Sequence, residues 1–595
     1  MAVRSPAPVR DATRDPLDGC AVVAAAGPAA RCAEHLATLG ATATVSTLDG
    51  ESALSLRADG HRVDGHIDWH PAPAGAETVV QALTGLMAAH GRDPGVPRRS
   101  GVDLASFAAG VVATQGMLAG LIAQRRGLPV AAVEVSVPGS ALLLLNHHIA
   151  IATSGGEFPY RASGTGGPPF RTADGYWVEL EVLSGDDWAR FWPRLGVADP
   201  RTVSAAWLPF VYRYLAGRCR LPDALPEAVA RHNLLQVREA ANACGIALSP
   251  VRYQPGPPLP LWTLSPHAET DARVGRLDRP DRPDGAPLRG LRVVEISSRL
   301  QGPLASRLLR MLGAEVVKIE PPGGDFGRGS PPLAGEIGAA YLAYNHGKRV
   351  VELDYKRPAG RAELDELVAA ADVFLHNWRP GRAESLGLDS ADLAAHNPGL
   401  VYAYASGWGS APDPPSAIAG DFLVQAYAGC GVALNPPGEP PFPSPLTLVD
   451  ATGGLLACTG ILAGLYLRER TGRGSRVDTS LLAGAQALRA AAPGRWGPLD
   501  RPIRTVDGYL AVDAVEAGTR LRLYRTCGAS GEPTAVARLG ERPAAHWAAV
   551  LREVGVPAAV VRADLAGLVR DPDLGGRLEP AGACAIPGPP WRFRY

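Results

Sequence analysis

Leu291-Arg292-Val293-Val294-Glu295-Ile296, then Gly302-Pro303-Leu304, then Ala314-Glu315-Val316-Val317-Lys318-Ile319-Glu320: read in order, these pieces set the fold class. The first is a short apolar run rich in branched residues, the length of a strand. Gly302-Pro303 opens a helix, because proline is tolerated in a first turn. Leu304, Leu308, Leu309 and Leu312 recur at helical spacing and share one face, and Gly313 closes the helix. The third piece is a second strand. Strand, helix and strand in this order predict a parallel sheet with helices on its faces, an α/β fold. Residues 363–371 read as a further helix, and 373–375 and 400–404 as further strands. No Gly-x-Gly-x-x-Gly follows the first strand and no Gly-Lys-Ser/Thr loop occurs, so neither a dinucleotide fingerprint nor a phosphate loop is present.

Outward from this unit, the chain repeats itself. Glu77 to Ser136 aligns without a gap onto Asp421 to Ser480, at an offset of 344. Val80-Gln81-Ala82 falls on Val424-Gln425-Ala426, and Leu118-Ala119-Gly120-Leu121 on Leu462-Ala463-Gly464-Leu465. Earlier, Leu39-Gly40-Ala41 matches Leu312-Gly313-Ala314 at an offset of 273, so the first half lacks 71 residues that the second has. Later, Arg171-Thr172 matches Arg504-Thr505 at 333, so the second half has lost 11 there. The turn-rich run from Asp278 to Gly285 has no apolar periodicity and reads as a linker. The expected organisation is a degenerate half over 1–277, with a truncated large domain and a small domain, a linker over 278–287, and a second half over 288–595.

At 595 residues the chain exceeds a single hydrophobic core. Lys+Arg and Asp+Glu are equal at 59 each, so charge offers no attraction for nucleic acid or an anionic membrane. The eight cysteines form no Cys-x-x-Cys pair, and no metal site is expected. Residues 104–123 and 451–467 are the most apolar stretches, and interruption by Ser, Thr, Gln and Gly marks them as buried helices rather than spans. A cytoplasmic location is expected.

The copies differ where chemistry would sit: Asp450 in the second is Ser106 in the first. Asp450 stands at the start of a long apolar helix. Either residue would cap such a helix, so capping does not choose between them. A nucleophilic carboxylate would choose Asp, and a helix start suits it because the free N–H groups favour negative charge. Asp421 is Glu77 in the other copy, an acid in both, which fits a structural bond or an acidic role. Lys348-Arg349 and the run Asn377-Trp378-Arg379-Pro380-Gly381-Arg382 flank strands, where cations suit a phosphorylated ligand. Gly164, Gly166 and Gly167 make a loop in the first half whose counterpart near Gly494 is shortened.

The second half resembles the class III CoA-transferase family, the CaiB/BaiF type. The resemblance rests on Leu288 to Glu295, Gly302-Pro303, Leu312 to Glu320, Asn345-x-x-Lys348-Arg349, Asn377-x-Arg379-Pro380-Gly381, Ser406-Gly407-Trp408-Gly409 and Thr471-Gly472-x-Gly474-x-x-Val477-Asp478. The first half looks like the same family with the middle of its nucleotide-binding domain removed. The resemblance implies two interlocked halves, each a Rossmann-like large domain with a small α+β domain. It also implies a nucleophile at Asp450 forming an anhydride and then a CoA thioester, and Asp421 is expected as a second catalytic acid. Coenzyme A, as substrate rather than resident cofactor, would be held by Gln301, Gly302, Lys348, Arg349, Asn377, Arg379 and Arg382, with Gly164, Gly166 and Gly167 opposite.

The expected function is CoA transfer between an acyl-CoA and a carboxylic acid, by a monomer or its homodimer, without nucleic acid or membrane. The alternatives are a repurposed racemase or lyase, or a non-catalytic acyl-CoA binding protein. The racemase branch carries a His before the acid matching Asp421, where this chain has Gly420.

Overall fold

The computed structural model describes residues 15–46, 53–91, 95–161, 164, 166–268, 285–491 and 494–595. Residues 278–284 of the expected linker lie outside them.

In the first half, β1 (Ala21–Ala24), β2 (Thr42–Val45), β3 (Ala53–Ala58), β4 (His61–Asp68) and β5 (Ala132–Ser136) build one sheet. A smaller sheet follows from β6 (Phe170–Arg171), β7 (Trp177–Glu181) and β8 (Ala247–Pro250), and the half ends on β9 (Trp262–Pro266). The second half opens with β10 (Arg292–Ile296) and β11 (Glu315–Glu320), then the hairpin β12 (Leu333–Ala334) and β13 (Ile337–Gly338). It continues through β14 (Arg349–Glu352), β15 (Val373–His376), β16 (Val401–Ser406) and β17 (Ser475–Ser480). A second small sheet comes from β18 (Ile503–Arg504), β19 (Tyr509–Val512) and β20 (Ala558–Val560). The hairpin β21 (Leu578–Ala581) and β22 (Cys584–Pro587) precedes a last strand, β23 (Trp591–Arg594).

The unit read first from the sequence is present: β10 and β11 are parallel, joined by the Gln301–Met311 helix. It sits in a sheet ordered β14-β11-β10-β15-β16-β17-β9, parallel except for β9. The first-half sheet is ordered β2-β1-β3-β4-β5-β23. There β3 takes the place that β15 holds in the second half, but runs antiparallel to β1. Antiparallel neighbours need only a tight turn, whereas parallel ones need a crossover of a dozen residues or so. Asp59 and Gly60, both with positive φ (48° and 80°), make that turn. The hairpin β3–β4 thus restores strand direction for the parallel pairing of β4 with β5 and bridges the missing 71 residues.

The halves exchange their last strands. β9 pairs with β17 of the second half, Asp478 opposite Thr263. β23 pairs with β5 of the first half, Phe593 opposite Val133. At the centre the Leu104–Arg125 and Leu448–Thr471 helices pack together, and the Gln115 amide donates to the Leu455 carbonyl at 2.7 Å. Both are long and apolar enough to span a bilayer, and both are buried by protein instead. Arg307 staples the halves: its buried guanidinium donates to Asn146 of the first half and to Glu579 near the C-terminus, at 2.8 and 3.1 Å.

Each half therefore leaves an edge strand unpaired if its partner is absent, which exposes unsatisfied backbone groups. A chain divided between residues 268 and 285 is expected to give two insoluble pieces when each is made alone, and one soluble complex when both are made together. Co-purification from co-expressing cells checks this, and a soluble monomeric second half contradicts it.

Candidate active site

Ligands of open parallel sheets bind beyond the carboxyl ends of the strands. In the second-half sheet that edge carries Ser298 and Arg299 after β10, Asn377 to Gly381 after β15, and Gly407 to Gly409 after β16. A cleft of about 550 Å³ lies there. Gln301 and Arg379 line it, Asp450 stands in its wall, and the first half contributes Glu181 and Leu183. The cleft is shared by both halves.

Asp450 is not the cap of its helix, as the sequence alone suggested. The helix begins at Leu448, and Asp450 lies within its first turn. Thr447, the residue before it, supplies no capping side chain. Asp421 caps from a distance: its Oδ2 accepts the backbone N–H of Asp450 at 2.7 Å, its carboxylate also receives the Val449 N–H, and Oδ1 accepts from Gln425 at 2.5 Å. Gln425 is held in turn by the Ser444 N–H at 2.8 Å. The first half repeats this arrangement. Glu77 accepts from the N–H groups of Ala105 and Ser106, both at 2.9 Å, and from Gln81, also at 2.9 Å. Ser106 also turns its hydroxyl onto Glu77 at 2.6 Å. The acid kept in both copies therefore holds a helix start in both. Asp421 is buried and does not line the cleft.

Asp450 is released by this arrangement to face the cleft. Burial raises its carboxyl well above the ordinary range; the neighbouring charges of Asp421 and Glu181 push the same way, and Arg299 opposes them. Asp421 is raised too, by its own burial. Gly453 and Gly454 let the helix approach the Gln301–Met311 helix closely: a Cβ on Gly454 would meet the Gln301 carbonyl oxygen at 2.8 Å. Gln301 is thereby brought to the cleft, with its amide on the Ser406 carbonyl at 3.3 Å. Gly302 does not line it; it makes room for Ser297, whose Oγ a Cβ would meet at 2.5 Å.

Asn377 uses its amide to join two loops, accepting the Ser298 N–H at 3.2 Å and donating to the Ser298 carbonyl at 2.9 Å. The next residue, Arg299, is held at φ 65°, a region that non-glycine residues occupy at a cost and often at functional sites. Arg299 and Arg379 are exposed cations on the cleft. Arg382 is exposed at the start of the Arg382–Ser385 helix, and its neighbours Gly381 and Ala383 line the cleft.

Lys348 and Arg349 are placed elsewhere. They lie at the amino end of β14, opposite to the edge where the cleft opens. Lys348 is buried: its ammonium donates to Glu295 at 2.8 Å, and to the Pro303 carbonyl and Asn345, both at 2.9 Å. Lys318 lies 3.5 Å from the same Glu295 and 3.5 Å from Asp325. Burial pushes Lys348 down to about 7, while Lys318 and Lys348 hold Glu295 down at about 2 against its own burial. Arg349 is exposed and does not line the cleft.

Gly164, Gly166 and Gly167 also stand apart from the Asp450 cleft. Gly164 has φ +86°, and a Cβ there would run into the Leu221 carbonyl; one on Gly167 would run into that of Cys219. Gly166 pairs with Leu221, accepting its N–H at 2.8 Å. The glycines let this loop lie against residues 219–222. Gly166 and Gly167 border a neighbouring cleft of about 340 Å³, with Arg213, Phe422 and Phe442.

Sequence reasoning missed Glu181 and did not place Arg299 in the site. The signal for Glu181 was there: Trp177-Val178-Glu179-Leu180-Glu181 alternates, but with two acids on one face of a strand too apolar to be exposed. All eight cysteines are free, and no cluster of metal-ligating residues occurs among the described residues.

The sequence profile of CoA-transferase family III matches the chain twice, over residues 58–254 and 288–506. An acetyl-CoA:oxalate CoA-transferase of Acetobacter aceti is 32% identical over 351 residues, 52% of this chain and 90% of that protein. An alpha-methylacyl-CoA racemase of mouse is 33% identical over 41% of this chain and 66% of its own length. Among solved structures, a CaiB/BaiF family protein from Brucella suis matches with a TM-score of 0.46 and 28% identity, over 52% of this chain and 93% of that one. Nine tenths of the Acetobacter relative thus corresponds to about half of this chain.

Proposed function

The chain belongs to CoA-transferase family III, and we propose that it moves coenzyme A from an acyl-CoA donor to a free carboxylic acid, with Asp450 carrying the CoA between them. The observation that carries this reading is the contrast between the copies. Asp450 faces a cleft shared by both halves, while its counterpart Ser106 is turned onto Glu77.

The Asp450 carboxylate attacks the thioester carbonyl carbon, and the C–S bond breaks to give an acyl-aspartyl anhydride and CoA thiolate. The thiolate attacks the aspartyl carbonyl, expels the first acid as its carboxylate, and leaves an aspartyl-CoA thioester. An acceptor carboxylate repeats the two steps in reverse. Electron pairs move but no proton does, so the reaction needs an ionised nucleophile and no general acid. Two features keep Asp450 ionised enough to attack: the positive end of its helix and the Arg299 cation nearby. Gln301, which lines the cleft with Asp450, is the amide this reading assigns to the developing oxyanion, and Arg379 and Arg382 at the rim suit the phosphates of CoA.

The site also supports transfer over racemisation. A side chain on Gly420 would run into Glu181 and Tyr214, so the histidine of the racemase branch has no space here.

The test is isotope exchange. A labelled acid should enter its own acyl-CoA without any second acid, through Asp450, and an Asp450→Asn protein should not catalyse it. Exchange that survives the substitution rules the reading out. A pH dependence follows. Activity requires ionised Asp450, so kcat/KM should fall as pH drops through a pKa above the ordinary carboxylate range. Arg299→Gln removes a charge that lowers that pKa, and should move the acid limb to higher pH. A pH profile of both proteins checks this; a limb that stays in place contradicts it.

A further inference from the structure

Glu181 enters the Asp450 cleft from the opposite half, and no step of the transfer chemistry needs it. It ends β7, where Val178 and Leu180 fill the small-domain core and Glu179 and Glu181 face Arg213. Arg213 is shared between the two acids, at 3.7 and 3.5 Å. Tyr214 donates its hydroxyl to Glu181 and stacks on Phe422 of the second half, with ring centroids 4.6 Å apart. Gly420 completes the seat: a Cβ there would run into Glu181 Oε2 and meet the Tyr214 hydroxyl oxygen at 2.7 Å. Glu181 is thus locked against the start of the helix whose first residue, Asp421, fixes the backbone of Asp450.

Tyr214 and Arg213 both reach Oε2. Oε1 receives no hydrogen bond from the described residues, although the side chain is only 2% exposed. The small exposed part of this otherwise buried carboxylate opens onto the cleft, so Oε1 is placed to accept a donor from the ligand. The same charge resists a ligand carboxylate. Arg213 is already divided between two acids, and Arg299, exposed at the cleft, is the cation that acts on both Asp450 and Glu181.

We propose that Glu181 selects the acyl group: the cleft takes monocarboxylic acids whose chain carries a hydroxyl or ammonium donor, and turns away dicarboxylic acids. This rests on the transfer reading, in which donor acyl group and acceptor acid occupy the same space in turn. A hydroxyl or ammonium gives Oε1 its missing partner. A second carboxylate sets a further negative charge beside Asp450 and Glu181, which costs most where water is excluded.

Butyrate, 4-hydroxybutyrate, 4-aminobutyrate and succinate match in length and differ at one end. The reading is the concentration of each that halves the trapping of Asp450 as a covalent adduct by a fixed acyl-CoA. In the wild type, succinate should need roughly tenfold more than 4-hydroxybutyrate or 4-aminobutyrate, with butyrate between. Glu181→Gln keeps an acceptor for Tyr214 and should bring the four within about threefold of one another. Glu181→Ala is less useful because it leaves Arg213 and Tyr214 unpaired. Gly420→Ala, which displaces the carboxylate from its seat without touching its charge, should weaken the selection in the same direction. Succinate competing best, or the order persisting in Glu181→Gln, overturns the proposal while leaving Asp450 transfer intact. Absence of any adduct on Asp450 overturns the transfer reading itself, and this proposal with it.

Discussion

Asp450→Asn should lower CoA transfer by about four orders of magnitude or more, the scale of loss when a nucleophile is removed, while leaving a folded and slightly more stable protein. An amide of the same shape preserves the helix start, because Asp421 bonds the backbone N–H groups of residues 449 and 450 and not the Asp450 side chain. The stability gain follows from linkage. In the fold the Asp450 carboxyl is raised, chiefly by burial, so the folded state holds this proton to higher pH than the unfolded chain does. The ionised acid is therefore a cost that grows as pH rises from the unfolded value toward the folded one, and is absent below both. Asparagine carries no such cost. The thermal midpoint of the variant should exceed that of the wild type at about pH 8 and converge with it near pH 3, where the acid is neutral in both states. Melting curves at the two pH values and turnover with the same preparations check both halves of the claim. A variant that unfolds at neutral pH would contradict it, as would one that keeps measurable transfer through residue 450.

Lys348→Met should cost stability, about 3–5 kcal/mol, as expected when one partner of a buried ion pair is deleted. Its ammonium sits 2.8 Å from Glu295, and both side chains are fully buried. Without it, Glu295 keeps Lys318 at 3.5 Å and the hydroxyls of Ser297 and Ser306, both at 2.6 Å, but loses its closest cation. The KM for acyl-CoA should hardly change in whatever fraction remains folded, because Lys348 does not line the cleft. Chemical denaturation reads the first effect and steady-state kinetics the second. A Lys348→Met, Glu295→Gln double variant should recover part of the loss, since the uncompensated charge is gone. A large rise in KM with unchanged stability would return Lys348 to the CoA site that the sequence motif suggested.

These two lysine and aspartate positions mark what the sequence could and could not tell. The β10–helix–β11 unit was legible because apolar spacing is local: Leu304, Leu308, Leu309 and Leu312 need no knowledge of their partners. Asp450 was legible because the chain carries its own control, Ser106, at the matching position. Its exact place in the helix was not. Thr447, the residue before the helix, supplies no capping side chain, and the carboxylate that caps the first turn is Asp421, 29 residues before Asp450. Lys348 reads as loop charge because it precedes a strand, and only the path of β14 alongside β11 turns it inward to Glu295. The glycines at 164, 166 and 167 read as room for a ligand; Gly164 and Gly167 let the loop lie against residues 219–222, while Gly166 and Gly167 border the smaller cleft. The strand exchange of β9 and β23 left no local mark, since the pairing of Trp262 with Thr479 spans the junction between the halves. Glu181 was hidden for the same reason. Its meaning depends on a helix that begins at Asp421, in the other copy.

The most direct measurement is to incubate the whole protein with an acyl-CoA, trap with hydroxylamine, and examine the peptide containing residue 450 by mass spectrometry. The account predicts a hydroxamate on Asp450, formed only when acyl-CoA is present, with no such mark on Asp421 or Glu181. A protein that transfers CoA while Asp450 stays unmodified, or that places the adduct on another residue, would contradict it.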